Sequence, residues 1–183
     1  MNGQTLGPPL RYNERTIANP VTRASSSAMN VTLREITSDT VHAVIKLSVA
    51  PDQQGFVASN AVSLAEALFS DEAWYRAIYA DDELVGFVML SDESLKNEPP
   101  AEPNIGLWRL MIDQRHQKRG IGREAMRLVL DYVRSRPGIH YFYTSYVPEP
   151  GGPGPFYLGL GFEPNGEVED GEVIVLYPLH ASS

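Results

Sequence analysis

The sequence predicts a single-domain α/β fold, a mixed central β-sheet flanked by helices, and three observations carry that expectation. Leu107-Trp108-Arg109-Leu110-Met111-Ile112 is a β-rich run that leads straight into a basic, glycine-containing turn. Ile121, Ala125, Leu128, Tyr132 and Val133 then recur at helical spacing until Arg136-Pro137-Gly138 stops the helix, and Tyr141 to Val147 reads as a further strand. Strand, helix, strand in that order is a parallel unit with its turn at the strand's carboxyl end, where ligands of open α/β sheets bind. The 183 residues, 43% of them hydrophobic, suffice for one core and give no sign of a second domain.

The elements follow in chain order. Residues 1–28 are rich in Pro, Ser and Asn and lack a periodic apolar face, so they are read as a flexible extension ahead of a folded domain over 29–183. No hydrophobic core of a secretory signal is present among them. Val31 to Ile36 is the first expected strand, and Thr37-Ser38-Asp39 offers N-cap residues for a helix over Val41 to Leu47. A second helix is expected over Ser63 to Leu68. Trp74 to Tyr79 and Leu84 to Leu90 flank Ala80-Asp81-Asp82-Glu83, which predicts a β-hairpin. Ser91 to Pro103 is polar and proline-containing and reads as a loop. After the crossover unit, Phe156 to Phe162 predicts a short helix ending at glycine, and the acidic stretch around Asp170-Gly171 predicts a terminal hairpin.

The turn Asp113-Gln114-Arg115-His116-Gln117-Lys118-Arg119-Gly120-Ile121-Gly122-Arg123 has the chemistry of a phosphate cradle. Two glycines permit a tight turn and close backbone approach, and the first amides of the following helix have no partner within it. A helix N-terminus favours an anion, and Arg115, Lys118, Arg119 and Arg123 add positive charge beside it. Two other phosphate loops do not fit. A nucleotide-triphosphatase loop needs Lys-Ser or Lys-Thr after its last glycine, and a dinucleotide fingerprint needs three glycines, whereas this turn has only Gly120 and Gly122.

Gln117-x-x-Gly120-x-Gly122 after an apolar strand resembles the signature of the GNAT superfamily of acetyl-CoA-dependent N-acetyltransferases. Phe156-Tyr157-Leu158-Gly159-Leu160-Gly161-Phe162 resembles the superfamily's second hallmark, a tyrosine-bearing helix that ends in Gly-Phe. Segments at Val49 to Ser63, Tyr79 with Gly86 to Leu90, Leu107 to Asp113 and Thr144 to Pro148 look like bacterial diamine and spermidine N-acetyltransferases. The resemblance implies a GNAT fold, with acetyl-CoA as co-substrate held by Leu110, Met111, Ile112, Arg115, Gln117, Lys118, Arg119, Gly120, Ile121, Gly122 and Arg123. It also implies that Tyr157 lies beside the thioester sulfur, where a neutral phenol can donate a hydrogen bond to the departing thiolate.

An alkylammonium has to lose a proton before it attacks, so a base or water chain is required. Some polyamine acetyltransferases place a glutamate early in the strand before the cradle, but Gly106-Leu107-Trp108-Arg109 has no carboxylate. Glu66 and Glu149 are the candidate bases. Pro148 to Pro155 also stands where many superfamily members have an asparagine, and its glycines and prolines predict a shaped loop. For the acceptor, Phe56 and Trp108 are candidate apolar walls and Gln54, Asn60 and Ser63 candidate hydrogen-bonding groups. Glu167, Glu169, Asp170 and Glu172 are expected to form a solvated turn near the acceptor mouth.

Composition narrows the function further. With no cysteine, a thiol nucleophile, disulfides and thiolate metal sites are excluded. The four histidines lack paired ligand spacing, so no metal is expected, and His116 is read as exposed beside the cradle. A net charge of −8 and a pI near 5.0 argue against a nucleic-acid partner and favour a small cationic amine. No apolar run is long enough to span a bilayer, so no membrane partner is expected and the location expected is the cytoplasm. A homodimer stays open. The readings are a polyamine N-acetyltransferase, an N-acetyltransferase for an aminoglycoside-like antibiotic or peptide amine, and a non-catalytic acyl-CoA-binding regulatory protein.

Overall fold

The computed structural model describes residues 29–179, so the extension read over 1–28 lies outside the described residues. One sheet organises the chain, with strands β1 (Val31–Arg34), β2 (Ala73–Ala80), β3 (Glu83–Asp92), β4 (Ile105–Ile112), β5 (Phe142–Tyr146), β6 (Glu163–Glu169) and β7 (Glu172–Tyr177). Their order across the sheet is β1-β2-β3-β4-β5-β7-β6. Every pair is antiparallel except β4 with β5, the parallel pair joined by α3 (Ile121–Ser135). The mixed α/β fold expected from the sequence is the one observed.

Helix α3 buries Ile121, Ala125, Met126, Val129, Leu130 and Val133 against the sheet, each of the larger side chains stabilising by roughly 1.5–3 kcal/mol when fully buried. Leu128 and Tyr132, expected on that face, lie at its margin and are only partly buried. Pro137 cannot continue the helix, and Arg136 before it is already extended, at φ −84 and ψ 126. The carboxyl end of α3 is clamped to β3 by Asp92. That carboxylate is fully buried and accepts from the Tyr132 hydroxyl at 2.7 Å and the Ser94 amide at 3.0 Å, with Arg136 Nε at 3.4 Å. Strand β3 thus runs two residues into the stretch read as a polar loop, because Asp92 finds partners that make its burial tolerable.

On the opposite face, α1 (Val41–Val44) and α2 (Asn60–Ala67) cover a second cluster built on Val44, Leu47, Ala77, Phe87, Met89 and Met111. Both helices depart from expectation. Thr40, not Thr37-Ser38-Asp39, precedes α1, and its hydroxyl accepts from the Thr37 amide at 2.9 Å. Helix α2 begins at Asn60, three residues before Ser63, because the Ser59 side chain caps it by accepting from the Val62 amide at 3.3 Å. Both hairpins have two-residue turns that need left-handed backbone: Asp81 at φ 55, and Asp170-Gly171 at φ 50 and 86. The last strand in the order, β6, is an exposed edge and carries Pro164, a residue with no ladder donor to lose. Helix α4 (Gly154–Leu160) precedes it and ends, as expected, at a glycine, Gly161, whose φ of 99 makes it a left-handed cap.

Candidate active site

The site arises where the sheet fails to close. Strands β4 and β5 pair only at Ile105↔Phe142 and Gly106↔Tyr143, with the Thr144 hydroxyl donating to the Leu107 carbonyl at 3.2 Å just beyond. Past that point they diverge and leave a wedge. On its other edge β4 carries one extra residue: Met89 faces Arg109 and Leu90 faces Leu107, so Trp108 is a bulge. The wedge opens into a cleft of about 1110 Å³ lined along β4 from Gly106 to Ile112. Backbone groups on the β5 side of β4 have no strand partner there, which leaves donors available to a bound carbonyl.

At the wide end lies the cradle. Lys118 at φ 60 and Gly120 at φ 80 turn the chain into α3. Among the described residues no acceptor meets the amides of Gln117 to Arg123. Gly120 and Gly122 line the cleft, and a side-chain atom added at Gly120 would meet nothing within 4 Å. Gln117 holds the turn in place, its Nε2 donating to the Ile112 carbonyl at 3.0 Å and to Gln53 Oε1 at 2.7 Å. Asp113 braces it from beneath. Its carboxylate accepts from the Arg115 amide at 3.1 Å and the Ser48 amide at 3.2 Å. Burial alone pushes the Asp113 carboxyl up, but these amides and the Arg115 guanidinium outweigh it and hold it below its ordinary range.

The expected cofactor residues divide. Leu110, Met111, Ile112, Gln117, Lys118, Gly120, Ile121, Gly122 and Arg123 line the cleft. Arg115 turns back onto Asp113, 2.8 Å from its carboxylate, and Arg119 leans on His116 Nδ1 at 3.2 Å, so neither lines it. His116, read as exposed, is buried and lines the cleft, with Nε2 3.5 Å from Glu83. An arginine can only donate, so Nδ1 is the accepting nitrogen.

Tyr157, on α4, lines the cleft and is otherwise buried among Tyr146, Phe156 and Phe162. Gly154 lets α4 approach, since a side chain there would meet the Tyr146 ring at 2.5 Å. Burial raises the Tyr157 phenol to about 12; the nearby Thr144 hydroxyl opposes the rise and the charge of Glu172 adds to it. The group is therefore a neutral donor at physiological pH.

Of the expected acceptor residues, Gln54, Phe56 and Trp108 line the cleft. Asn60 and Ser63 do not. Asn60 is buried and donates to the Val44 carbonyl at 2.8 Å, and the Ser63 hydroxyl donates to the Ser59 carbonyl at 3.1 Å, so both serve the packing of α2. The two candidate bases also lie off the cleft lining: Glu66 pairs with Arg109 at 3.2 Å, and Glu149 is exposed in the Pro-Gly loop. The structure brings in residues the sequence did not single out as ligands, among them Glu72, Ser91, Arg109, Tyr143, Ser145 and Glu172. Alternation places Tyr143 and Ser145 on the face away from α3, opposite Phe142 and Thr144. The Ser145 hydroxyl donates to Glu172. Only Glu172 had a signal in the sequence, the acidic cluster at the last hairpin.

The sequence profile described as the Acetyltransferase (GNAT) family matches residues 41–151, well over half the chain. A spermine/spermidine N(1)-acetyltransferase of Bacillus subtilis (strain 168) is 25% identical over 154 residues, covering 82% of this chain and all of that protein. An acetyltransferase from Thermus thermophilus superposes with a TM-score of 0.59 at 20% identity, over 82% of this chain and 98% of the other. Arabidopsis thaliana Naa50, solved with the bisubstrate analogue CoA-Ac-MVNAL, superposes with a TM-score of 0.57 at 18% identity, over 80% and 96%. Among the described residues no helix is long and apolar enough to cross a membrane.

Proposed function

The chain belongs to the GNAT family of acetyl-CoA-dependent N-acetyltransferases, and we propose that its acceptor is a small polyamine such as spermidine, spermine or a diamine. The observation that carries this reading is the makeup of the cleft beyond Tyr157. Two carboxylates, Glu72 and Glu172, border it together with the Tyr143 and Trp108 rings, and the Arg109 guanidinium that also lines it is paired with Glu66 at 3.2 Å, a setting that suits an alkyl chain bearing ammonium groups. The resemblance to the Bacillus subtilis polyamine acetyltransferase, which spans that protein's whole length, supports it.

The cradle amides, Lys118 and Arg123 hold the pyrophosphate, which directs the thioester down the wedge along β4. The neutral amine attacks the carbonyl carbon, its lone pair forming the N–C bond as the C–S bond breaks. Unpaired β4 amides stabilise the charge that develops on oxygen. Glu172, backed by Ser145, is the cleft carboxylate whose charge reaches Tyr157, and in this reading it receives the amine's proton in place of Glu66 or Glu149. Tyr157 meets the thiolate. With burial raising the phenol to about 12, well above a thiol, the departing thiolate is too weak a base to take its proton outright. A donated hydrogen bond is the role these values allow.

The test is thiol release from acetyl-CoA across polyamines, amino acids, aminoglycosides and peptides. Spermidine or spermine should give the highest kcat/KM. Another amine outperforming them removes the polyamine assignment and leaves the acetyltransferase; no reaction with any amine favours an acyl-CoA-binding role.

A further inference from the structure

Glu72 and Ser91 are among the residues that line the cleft. Ser91 pairs across the sheet with Gly106, which pairs with Tyr143, so the three form one row. Gly106 keeps that row low: a side chain there would meet the Tyr143 ring at 2.9 Å. The Ser91 hydroxyl donates to Glu72 Oε1 at 2.8 Å. The other oxygen of Glu72 is met at 2.7 Å by the Lys96 ammonium, which also holds Glu93 at 3.1 Å. An alkylammonium belonging to the chain itself therefore already sits on a carboxylate that lines the cleft.

The Glu72 oxygen that Lys96 meets is buried and has no other partner among the described residues, so a second cation reaches it only by displacing Lys96. The Lys96 side chain is 32% exposed and that of Glu72 23%. Glu93 is anchored independently, accepting from the Asn104 amide at 2.9 Å and its side chain at 3.2 Å, so Lys96 keeps a partner if another cation takes Glu72.

We propose that Glu72 binds the acceptor's distal ammonium and that Lys96 is its built-in competitor, setting how strongly the enzyme prefers di- and polyamines to monoamines. The inference rests on the polyamine reading and adds the residues that tune it. Its test is the ratio of kcat/KM for spermidine to that for an n-alkylamine of matched length with one amino group, in the wild type, Lys96→Met and Glu72→Gln. The ratio rises roughly fivefold in Lys96→Met and falls roughly fivefold in Glu72→Gln, the size expected of a partly exposed ion pair, and the change lies in KM rather than kcat. Calorimetric CoA affinity equal to wild type shows that the cleft is intact in each variant. A ratio within about twofold of wild type in either variant overturns the inference while the polyamine reading stands. A wild-type enzyme that accepts no polyamine overturns both.

Discussion

Replacing Tyr157 by phenylalanine removes one oxygen and leaves the ring in its aromatic setting. The hydroxyl is a buried neutral donor, since burial raises it to about 12. A hydrogen bond from such a donor to a charged acceptor contributes roughly 1.5–3 kcal/mol, and the thiolate carries its charge only as the C–S bond breaks. The loss should fall on kcat, by roughly 10- to 150-fold, with acetyl-CoA affinity held near wild type. Stability should change by no more than about 1 kcal/mol, because Thr144 keeps its bond to the Leu107 carbonyl. Thiol-release kinetics at saturating amine, calorimetry with CoA and thermal unfolding separate these effects. The wild-type pH profile should show no descending limb from this phenol at neutral or mildly alkaline pH. A variant whose kcat falls by about twofold or less, or whose whole deficit is in acetyl-CoA affinity, would refute the reasoning and return Tyr157 to packing.

Gly120→Val places a β-branched residue at φ 80 on the wall of the cleft, so CoA affinity by calorimetry should fall more than about tenfold, and an unchanged affinity in a folded variant would count against the cradle. Asp92→Ala leaves the Tyr132 hydroxyl, the Ser94 amide and Arg136 without their shared acceptor. It should cost about 2–4 kcal/mol and lower Tm by on the order of 10 °C in a melt; a shift of a degree or so would mean that water replaces the carboxylate. Asp113 is held below its ordinary value of 3.8, so its contribution to stability is complete above that pH and is lost as pH falls through the lower folded value. Asp113→Asn should be less stable at neutral pH and lose less on acidification, which denaturant titrations at pH 7 and in the acid range would check.

The cradle was legible because its chemistry is contained in consecutive residues. A strand, two glycines and a helix start fix the turn and its open amides locally, and Gln117, Gly120 and Gly122 line the cleft. The hairpins at Asp81-Asp82 and Asp170-Gly171 and the stop at Pro137 were legible for the same reason. The acceptor side was not. Ser59 rather than Ser63 starts α2, and that shift in phase turned Asn60 and Ser63 into the packed interior. His116 was misplaced because the fold buries it rather than exposing it. Glu72, Ser91, Tyr143 with Ser145, and Glu172 come from separated stretches of chain, and they meet only because β4 and β5 pair over two positions and then part. Strand register is set by long-range pairing, in which a slip of one residue moves a side chain to the other face. Neighbouring residues were therefore enough to specify the glycine turn ahead of α3 and the succession of elements, whereas the charged residues that line the cleft are brought together by pairing between strands far apart in the chain.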